Sequence, residues 1–230
     1  MSKELNGILK KLRSLGKPEN VAGMARYGIV SKKALGVTAP ELKRLARSIG
    51  KDHQLALELW STKIHDARAL AAMVDEPSMV SERQMERWVK DFDNWAICDG
   101  CCLYLFHKTP FAWMKTKEWS KRKEEFVKRA AFALMAVLTV HDKHAEDTSF
   151  AALLPIIKKQ ANDERNFVKK AVNWALRQIG KQNLALNKLA IRTARELQKS
   201  NSASARWIAA DALRELTSSA VLTKLKKKRK

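Results

Sequence analysis

Proline and glycine are few and regularly placed in this chain, and their placement limits the fold more than any other feature. The 230 residues include 5 Pro and 8 Gly. Proline is tolerated in the first turn of a helix but breaks a helix interior. The prolines stand at or near predicted helix starts: Pro18, Pro40, Pro77, Pro110 and Pro155. No run of alternating β-branched residues is long enough to predict a strand. The sequence therefore predicts an all-α fold.

Helical periodicity covers the chain from end to end. The predicted helices span residues 3–15, 20–31, 40–49, 52–60, 63–73, 81–91, 94–107, 111–117, 120–139, 147–159, 163–179, 182–199 and 202–216. Helices joined in pairs by short turns are typical of a solenoid of HEAT-type units, each of about 40–47 residues. We therefore predict a curved HEAT-like α-solenoid with a concave basic groove. It forms one domain over residues 1–218, followed by a basic tail over 219–230. Self-similarity is weak, so periodicity alone leaves a globular helical bundle open.

The net charge is strongly positive. Lys and Arg number 45 against 24 Asp and Glu, which gives a formal net charge of +21. The terminal stretch "KLKKKRK" supplies six of the positive charges, so its removal still leaves about +15. Contacts with phosphate release counterions, so this charge favours nucleic acid as the partner. General solubility is the alternative explanation, and a protein-interaction scaffold is disfavoured by the same charge.

Other classes of protein lack their signals here. The longest apolar stretches, such as "AAFALMAVLTV", are shorter than the about 20 residues of a membrane span. The N-terminus has no secretory signal, so we expect no membrane association and a cytosolic location. Walker, G-x-G-x-x-G, G-x-S-x-G and H-E-x-x-H motifs are absent, which argues against several enzyme classes and against a nucleotide cofactor. The cysteines at 98, 101 and 102 lack a second Cys/His pair for zinc and are expected in the core.

One predicted helix carries an aromatic side chain among cations. On a wheel of residues 167–181, "FVKKAVNWALRQIGK", the apolar residues form one stripe and Trp174 points away from it. The same side holds Lys170, Asn173, Arg177 and Lys181. An aromatic surface beside phosphate-seeking side chains is a common arrangement for DNA contact. Packing of Trp174 under a neighbouring helix is the alternative. Trp207 lies opposite its own apolar stripe too, and there helix packing is favoured.

A carboxylate stands in an almost wholly apolar stretch, "DNWAICDGCCLYLF" (93–106). Trp95 and Asp99 are four residues apart, so a helix places them on one face, one turn from each other. Ionised Asp is almost never fully buried without a partner. Asp99 is therefore either a paired structural group, which the residues alone favour, or a charge kept for chemistry. Arg129 similarly begins an apolar helix with Ala133 and Ala136 on its side. Pairing with Glu125 is the alternative to a ligand contact.

Four blocks of the sequence resemble the AlkD-like DNA alkylation repair family. They are "MARYGIVSKKALGVTAPELKRLAR" (24–47), "DNWAICDGCC" (93–102), "FVKRAAFALMA" (126–136) and "ERNFVKKAVNWALRQIGK" (164–181). The similarity spans most of the chain in order. It implies HEAT-like repeats curved around duplex DNA. It also implies a glycosylase that removes cationic alkylated purines such as N3-methyladenine and N7-methylguanine.

The resemblance also implies roles for individual residues. Asp99 is the catalytic carboxylate, Trp95 and Trp174 flank the sugar-phosphate of the lesion, Arg129 is a cation in the groove, and Tyr27 lies near the same site. The sequence hypothesis is therefore a monofunctional glycosylase that acts as a monomer on duplex DNA, with no cofactor and no metal. The second hypothesis is a HEAT-repeat protein that binds damaged or branched DNA by shape without catalysis.

Overall fold

Helices and short joints make up the secondary structure of the protein. The computed structural model describes residues 2–227, and none of these residues lies in a β-strand. The helices are α1 (Lys3–Leu15), α2 (Pro18–Arg26), α3 (Ala39–Ile49), α4 (His53–Ser61), α5 (His65–Val74), α6 (Glu82–Lys90), α7 (Trp95–Tyr104), α8 (Ala112–Trp119), α9 (Glu125–His141), α10 (Asp147–Ala151), α11 (Leu154–Gln160), α12 (Asn166–Gly180), α13 (Leu184–Gln198), α14 (Ala203–Leu216) and α15 (Ser219–Lys227). Short 3-10 turns cover Pro77–Met79 and Phe106–Lys108. The prediction of an all-α protein is confirmed.

Contacts divide the chain into two compact units, Met1–Phe111 and Ala112–Lys230. In the first unit α3, α5 and α7 pack side by side, and α1 and α4 pack against α5. The outer helices meet through indole rings, because Trp60 of α4 stacks on Trp88 of α6 with ring centroids 3.9 Å apart. Offset aromatic stacking of this kind adds about 1 kcal/mol to the area buried. The layer formed by α3, α5 and α7 carries the first group of candidate residues.

The second unit has the same two-layer construction. Its inner helices α9, α12 and α14 pack side by side in chain order, and α8, α11 and α13 pack against them. Helix α9 is buried on all sides from Ala130 to Thr139, which marks it as the centre of the unit.

In the second unit, several side-chain hydrogen bonds between packed helices join residues that are the same number of positions apart in the sequence. The pairs Arg129–Phe167, Lys158–Glu196, Asn173–Asp211 and Arg177–Glu215 are each 38 residues apart. A constant separation is expected when each structural unit contacts only the next unit. The second unit thus repeats in structure with a period near 38 residues, although its sequence blocks are barely similar.

The second helix ends earlier than predicted. The sequence pattern predicted a helix over 20–31, but α2 ends at Arg26 because Gly28 adopts a left-handed φ of 75°. The amide of Gly28 donates to Ala25 O and the amide of Ile29 to Met24 O, both within 3.1 Å. These two bonds form a Schellman end, which requires a residue that tolerates positive φ. Tyr27 is therefore the last residue before a loop.

A proline divides another predicted helix in two. The pattern predicted one helix over 147–159, but α10 ends at Ala151 and α11 begins at Leu154. Pro155 has no N–H to donate to the carbonyl of Ala151, and its ring clashes with that carbonyl in a continuous helix.

The end of the chain carries a further helix. Residues 219–227 of the predicted basic tail form α15, which packs on α13 and α14. Leu225 is its anchor, with 2% of its surface exposed. Residues 228–230 of the predicted tail lie outside the described residues. The division into one domain over 1–218 and a tail stays a prediction.

Candidate active site

A buried asparagine fixes the start of α7, the helix that carries Trp95 and Asp99. Asn94 is fully buried, and its Oδ1 accepts hydrogen bonds from the amides of Ala96 at 3.0 Å and Ile97 at 3.1 Å. A side-chain cap of this kind is worth about 1 kcal/mol. The Nδ2 group of Asn94 donates to Asp93 Oδ1 at 2.7 Å and lies 3.4 Å from His65 Nδ1. Burial lowers the pKa of His65, which favours the neutral ring that can accept this hydrogen. Asn94 thus caps the first turn of α7 and is itself fixed by Asp93 and His65.

Trp95 and Tyr27 are brought together in the first unit. The indole Nε1 of Trp95 donates to the carbonyl oxygen of Tyr27 at 2.8 Å, across 68 residues of sequence. The Tyr27 side chain is 75% exposed, and Trp95 is partly exposed. Most of the surface of the Tyr27 side chain is therefore available for contact. The bond orients the indole and fixes the end of α2 at the same time.

Asp99 lies one turn after Trp95 on α7 and is partly exposed. Ile97, Cys98 and Cys101 of the same helix are buried on its other faces, and Cys102 is buried one turn after Asp99. Residues four apart on a helix are neighbours, so the carboxylate and the indole stand together at a partly exposed surface. The cysteines are free and buried as expected, and burial raises the pKa of the Cys101 thiol well above its usual range.

The first turn of α5 anchors the loop that follows Tyr27. Asp66 is 1% exposed, and its two oxygens accept from the amides of Leu35 at 2.6 Å and Val37 at 2.8 Å. The amide of His65 donates to the carbonyl of Lys33 at 3.1 Å. Sequence reasoning missed Asn94 and Asp66. An asparagine before an apolar helical run is a recognisable N-cap signal, whereas the bonds to Asp66 have no local signature.

Arg129 lies in the second unit and is buried. Its side chain is on α9 with 7% of the residue exposed, and Nη1 donates to the carbonyl of Phe167 in the first turn of α12 at 2.6 Å. Ala133 and Ala136 on the same helix are fully buried. A charged hydrogen bond at a helix start of this kind is worth about 1.5–3 kcal/mol. Arg129 therefore ties α9 to α12.

The cationic face predicted for α12 meets carboxylates of α14. Arg177 Nη1 is 2.6 Å from Glu215 Oε2, and Lys181 Nζ is 2.6 Å from Glu215 Oε1. Burial raises the pKa of Glu215, but the ammonium and guanidinium groups outweigh this effect and bring its pKa below the usual value. Lys170 is exposed and Trp174 partly exposed.

The helical wheel misplaced one residue of this face. Asn173 is 2% exposed, and its Nδ2 donates to Asp211 Oδ2 at 2.6 Å. Its grouping with outward-facing side chains was therefore wrong, because α14 covers that side of α12. The DNA contacts predicted for Lys170, Asn173, Arg177 and Lys181 stay predictions. Trp207, for which packing was favoured, is 41% exposed and has Lys169 Nζ 5.1 Å from its ring centroid.

A pH-sensitive carboxylate precedes α12. Asp163 accepts hydrogen bonds from Arg165 Nη2 at 2.6 Å and Lys128 Nζ at 3.1 Å. Partial burial opposes ionisation, but these bonds prevail and lower the pKa of Asp163 to about 2. Because the pKa of Asp163 is lower in the folded protein than in the unfolded chain, its ionised form adds to the free energy of unfolding. This contribution is complete above about pH 5 and is lost as the pH falls from about 4 to 2. We expect Asp163→Asn to lower the free energy of unfolding at pH 7.

Urea unfolding at pH 7 and pH 2.5 measures this effect. The difference between wild type and Asp163→Asn should shrink at the lower pH, while Asp147→Asn, a change at an exposed carboxylate, should show little effect at either pH. An equal difference at both pH values would show that the ion pairs of Asp163 do not carry its contribution.

The described part of the chain holds neither a cluster of metal ligands nor a helix that could span a membrane. Among residues 2–227, no group of three or more His, Cys, Asp or Glu side chains is placed to hold a metal ion. No helix in the same range has the length and apolar character needed to cross a bilayer.

The chain matches a known family over nearly its whole length. The model of the DNA alkylation repair enzyme family matches residues 8–216. The chain belongs to this family. Membership in the DNA alkylation repair enzymes confirms the resemblance carried by the four sequence blocks. The sequence is not similar enough to any curated protein to count as a match.

A solved structure shares the fold of this DNA alkylation repair family member. It is described as a new family of proteins related to the HEAT-like repeat DNA glycosylases with affinity for branched DNA structures. The two structures superpose with a TM-score of 0.76 at 19% sequence identity, over 92% of this chain and 94% of that chain. The prediction of a HEAT-like fold is confirmed, and the globular bundle is set aside.

Proposed function

We propose that the chain is a monofunctional DNA glycosylase that hydrolyses the N-glycosidic bond of cationic alkylated purines in duplex DNA. The N3-methyladenine and N7-methylguanine types are its proposed substrates. The observation that carries the proposal is the pairing of Trp95 and Asp99 on one partly exposed face of α7 in a member of a DNA alkylation repair family. The protein acts as a monomer in the cytosol and uses no metal or nucleotide cofactor in this proposal.

The chemistry requires an anion beside the deoxyribose. When the glycosidic bond breaks, its electron pair moves to the purine, which is already cationic and leaves as a neutral base. Positive charge then develops on the sugar as an oxocarbenium ion. A fixed carboxylate next to that charge lowers the barrier, because it interacts more strongly with the transition state than with the ground state. Asp99 supplies this carboxylate and orients the water that attacks C1′, and the proton lost by that water passes to solvent.

The indole of Trp95 complements the carboxylate. Its nitrogen is engaged by the Tyr27 carbonyl at 2.8 Å, so the ring is held in one orientation. An oriented aromatic face attracts a cationic nucleotide by about 1 kcal/mol. Tyr27 extends this aromatic contact in the proposal. In the second unit, Trp174 is proposed as an aromatic contact to DNA, and Lys170, Arg177 and Lys181 as phosphate contacts. Arg129 acts through its bond to the start of α12.

A second function is favoured by the similarity to a solved structure. The structural neighbour is related to glycosylases but is described by its affinity for branched DNA. The alternative is therefore a protein that binds branched or damaged DNA by shape and does not cleave a glycosidic bond.

Release of the methylated base distinguishes a glycosylase from a protein that only binds DNA. Purified protein is incubated with duplex DNA that carries N7-methylguanine and N3-methyladenine, and the free bases are quantified by mass spectrometry. We expect release above the spontaneous rate and in proportion to protein concentration, and no release from unmethylated duplex. Tight binding of a four-way junction without release of either base would overturn the glycosylase and establish the alternative.

A further inference from the structure

A cavity of about 240 Å³ lies in the second unit, where the last helix meets the ends of two inner helices. Lys143 follows α9, Lys181 follows α12 and Lys224 belongs to α15, and all three line the cavity. The rest of the wall is part apolar (Val140, Val221 and Leu225) and part uncharged polar (Thr139, Gln178 and Gln182). The cavity therefore combines three ammonium groups with an apolar surface.

The helix that closes this cavity lies beyond the part of the chain that matches the family. The family model ends at residue 216, whereas α15 covers Ser219–Lys227. Leu225 is 2% exposed and fixes α15 on the rest of the unit. The lysine of α15 is thus placed at the cavity by a packed helix. The catalytic roles proposed for Trp95 and Asp99 do not account for this feature.

The side chains that line the cavity carry a net positive charge. No carboxylate is among its lining residues. Glu215, which lies outside the lining, pairs with Lys181 at 2.6 Å, and Lys143 Nζ donates to the carbonyl of Val140 at 2.5 Å. Lys224 makes no ion pair with any residue in the range 2–227. Two of the three lysines thus have no carboxylate partner, and an anion entering the cavity meets a net positive charge.

We propose that this cavity binds a phosphate ester. Lys143, Lys181 and Lys224 hold the phosphate oxygens, since ammonium groups form short charge-assisted hydrogen bonds to phosphate. Val140 and Val221 contact the carbon skeleton of the ester, which a bare inorganic ion lacks. The same chemistry is presented by a backbone phosphate of nucleic acid and by a free sugar phosphate.

Two lysines of α15 provide a matched pair of variants. Lys224 lines the cavity, whereas Lys226 is exposed on the same helix and does not line it. Lys224→Gln and Lys226→Gln each remove one charge and keep the length of the side chain similar. Thermal unfolding of both variants establishes that each retains the fold.

The nucleic-acid source is tested with undamaged duplex DNA, because its binding does not depend on excision. One lost phosphate contact makes the negative slope of log affinity against log salt less steep by about 0.9. If the ligand is a backbone phosphate, Lys224→Gln shows this loss together with an affinity about 3–10 times lower at moderate salt. Lys226→Gln stays close to wild type in both quantities. The DNA arm rests on the DNA binding in the proposed function, but it does not rest on catalysis.

The free source is tested with ribose 5-phosphate, with ribose and inorganic phosphate at matched ionic strength as controls. If the ligand is a sugar phosphate, ribose 5-phosphate raises the Tm of wild type and of Lys226→Gln more than either control, and does so less in Lys224→Gln. This arm remains decisive even if the protein fails to bind DNA. Equal behaviour of the two variants in both arms would overturn the proposal.

Discussion

Replacing Asp99 by Asn is expected to lower the rate of alkylpurine release by about 100- to 1,000-fold, the usual effect of removing one preorganised charge that faces a transition state. The amide has nearly the same shape as the carboxylate, so α7 and the position of Trp95 are retained. The affinity for duplex DNA should change by less than about threefold, because Asp99 neutralises no phosphate in the proposed mechanism and its replacement removes no phosphate contact. Single-turnover release of N7-methylguanine and equilibrium binding of the same duplex measure the two quantities.

Glu19→Gln is the matched control for this variant. Glu19 lies in the first turn of α2 in the same unit and is exposed, so its change removes one negative charge without touching α7. We expect its release rate to stay within about twofold of wild type, since surface charges away from a site have small effects. Equal rates for Asp99→Asn and wild type would remove Asp99 from the mechanism.

Replacing Asp66 by Ala is expected to lower the free energy of unfolding of the first unit by about 3–5 kcal/mol. The variant leaves the buried amides of Leu35 and Val37 without an acceptor, and each hydrogen bond to a charged group is worth about 1.5–3 kcal/mol. Since these bonds anchor the loop that follows Tyr27, its backbone should also open more often. Urea unfolding reports the global effect, and hydrogen exchange at Leu35 and Val37 reports the local one.

Asp147→Ala provides the comparison for Asp66→Ala. Asp147 also accepts at both of its oxygens, from Asn183 Nδ2 at 2.8 Å each, but it is exposed. Water replaces such bonds, so the expected loss is below about 1 kcal/mol. Similar losses in the two variants, or unchanged exchange at Leu35 and Val37, would show that Asp66 does not anchor the loop.

Local signals in the sequence predicted the helices well where caps and periodicity agree. Residues 3–15 form α1 as predicted, because Ser2 accepts from the amide of Leu5 and an apolar stripe follows. Two predicted helices differ from the structure: the helix over 20–31 ends early before Gly28, and the helix over 147–159 is divided near Pro155. At both places the backbone chemistry of a single residue overrides the apolar pattern. Both residues carry recognisable signals, a helix-ending glycine and a proline that forbids a continuous helix.

The arrangement of the candidate residues was predicted in part. The shared face of Trp95 and Asp99 follows from their spacing on one helix. The bond from Trp95 to the Tyr27 carbonyl spans 68 residues, and that from Arg177 to Glu215 spans 38. Neither partner has a local signature, because such contacts depend on how whole helices pack. The convergence of Trp174 with Asp99 stays a prediction.

The most direct test of the proposed activity is the release of N7-methylguanine from methylated duplex DNA by wild type, with Asp99→Asn and protein-free DNA assayed in parallel. We predict a burst of free base with wild type that is at least about 100 times faster than with Asp99→Asn. Release by wild type at the protein-free rate, from a duplex that it demonstrably binds, would contradict the assignment of glycosylase activity.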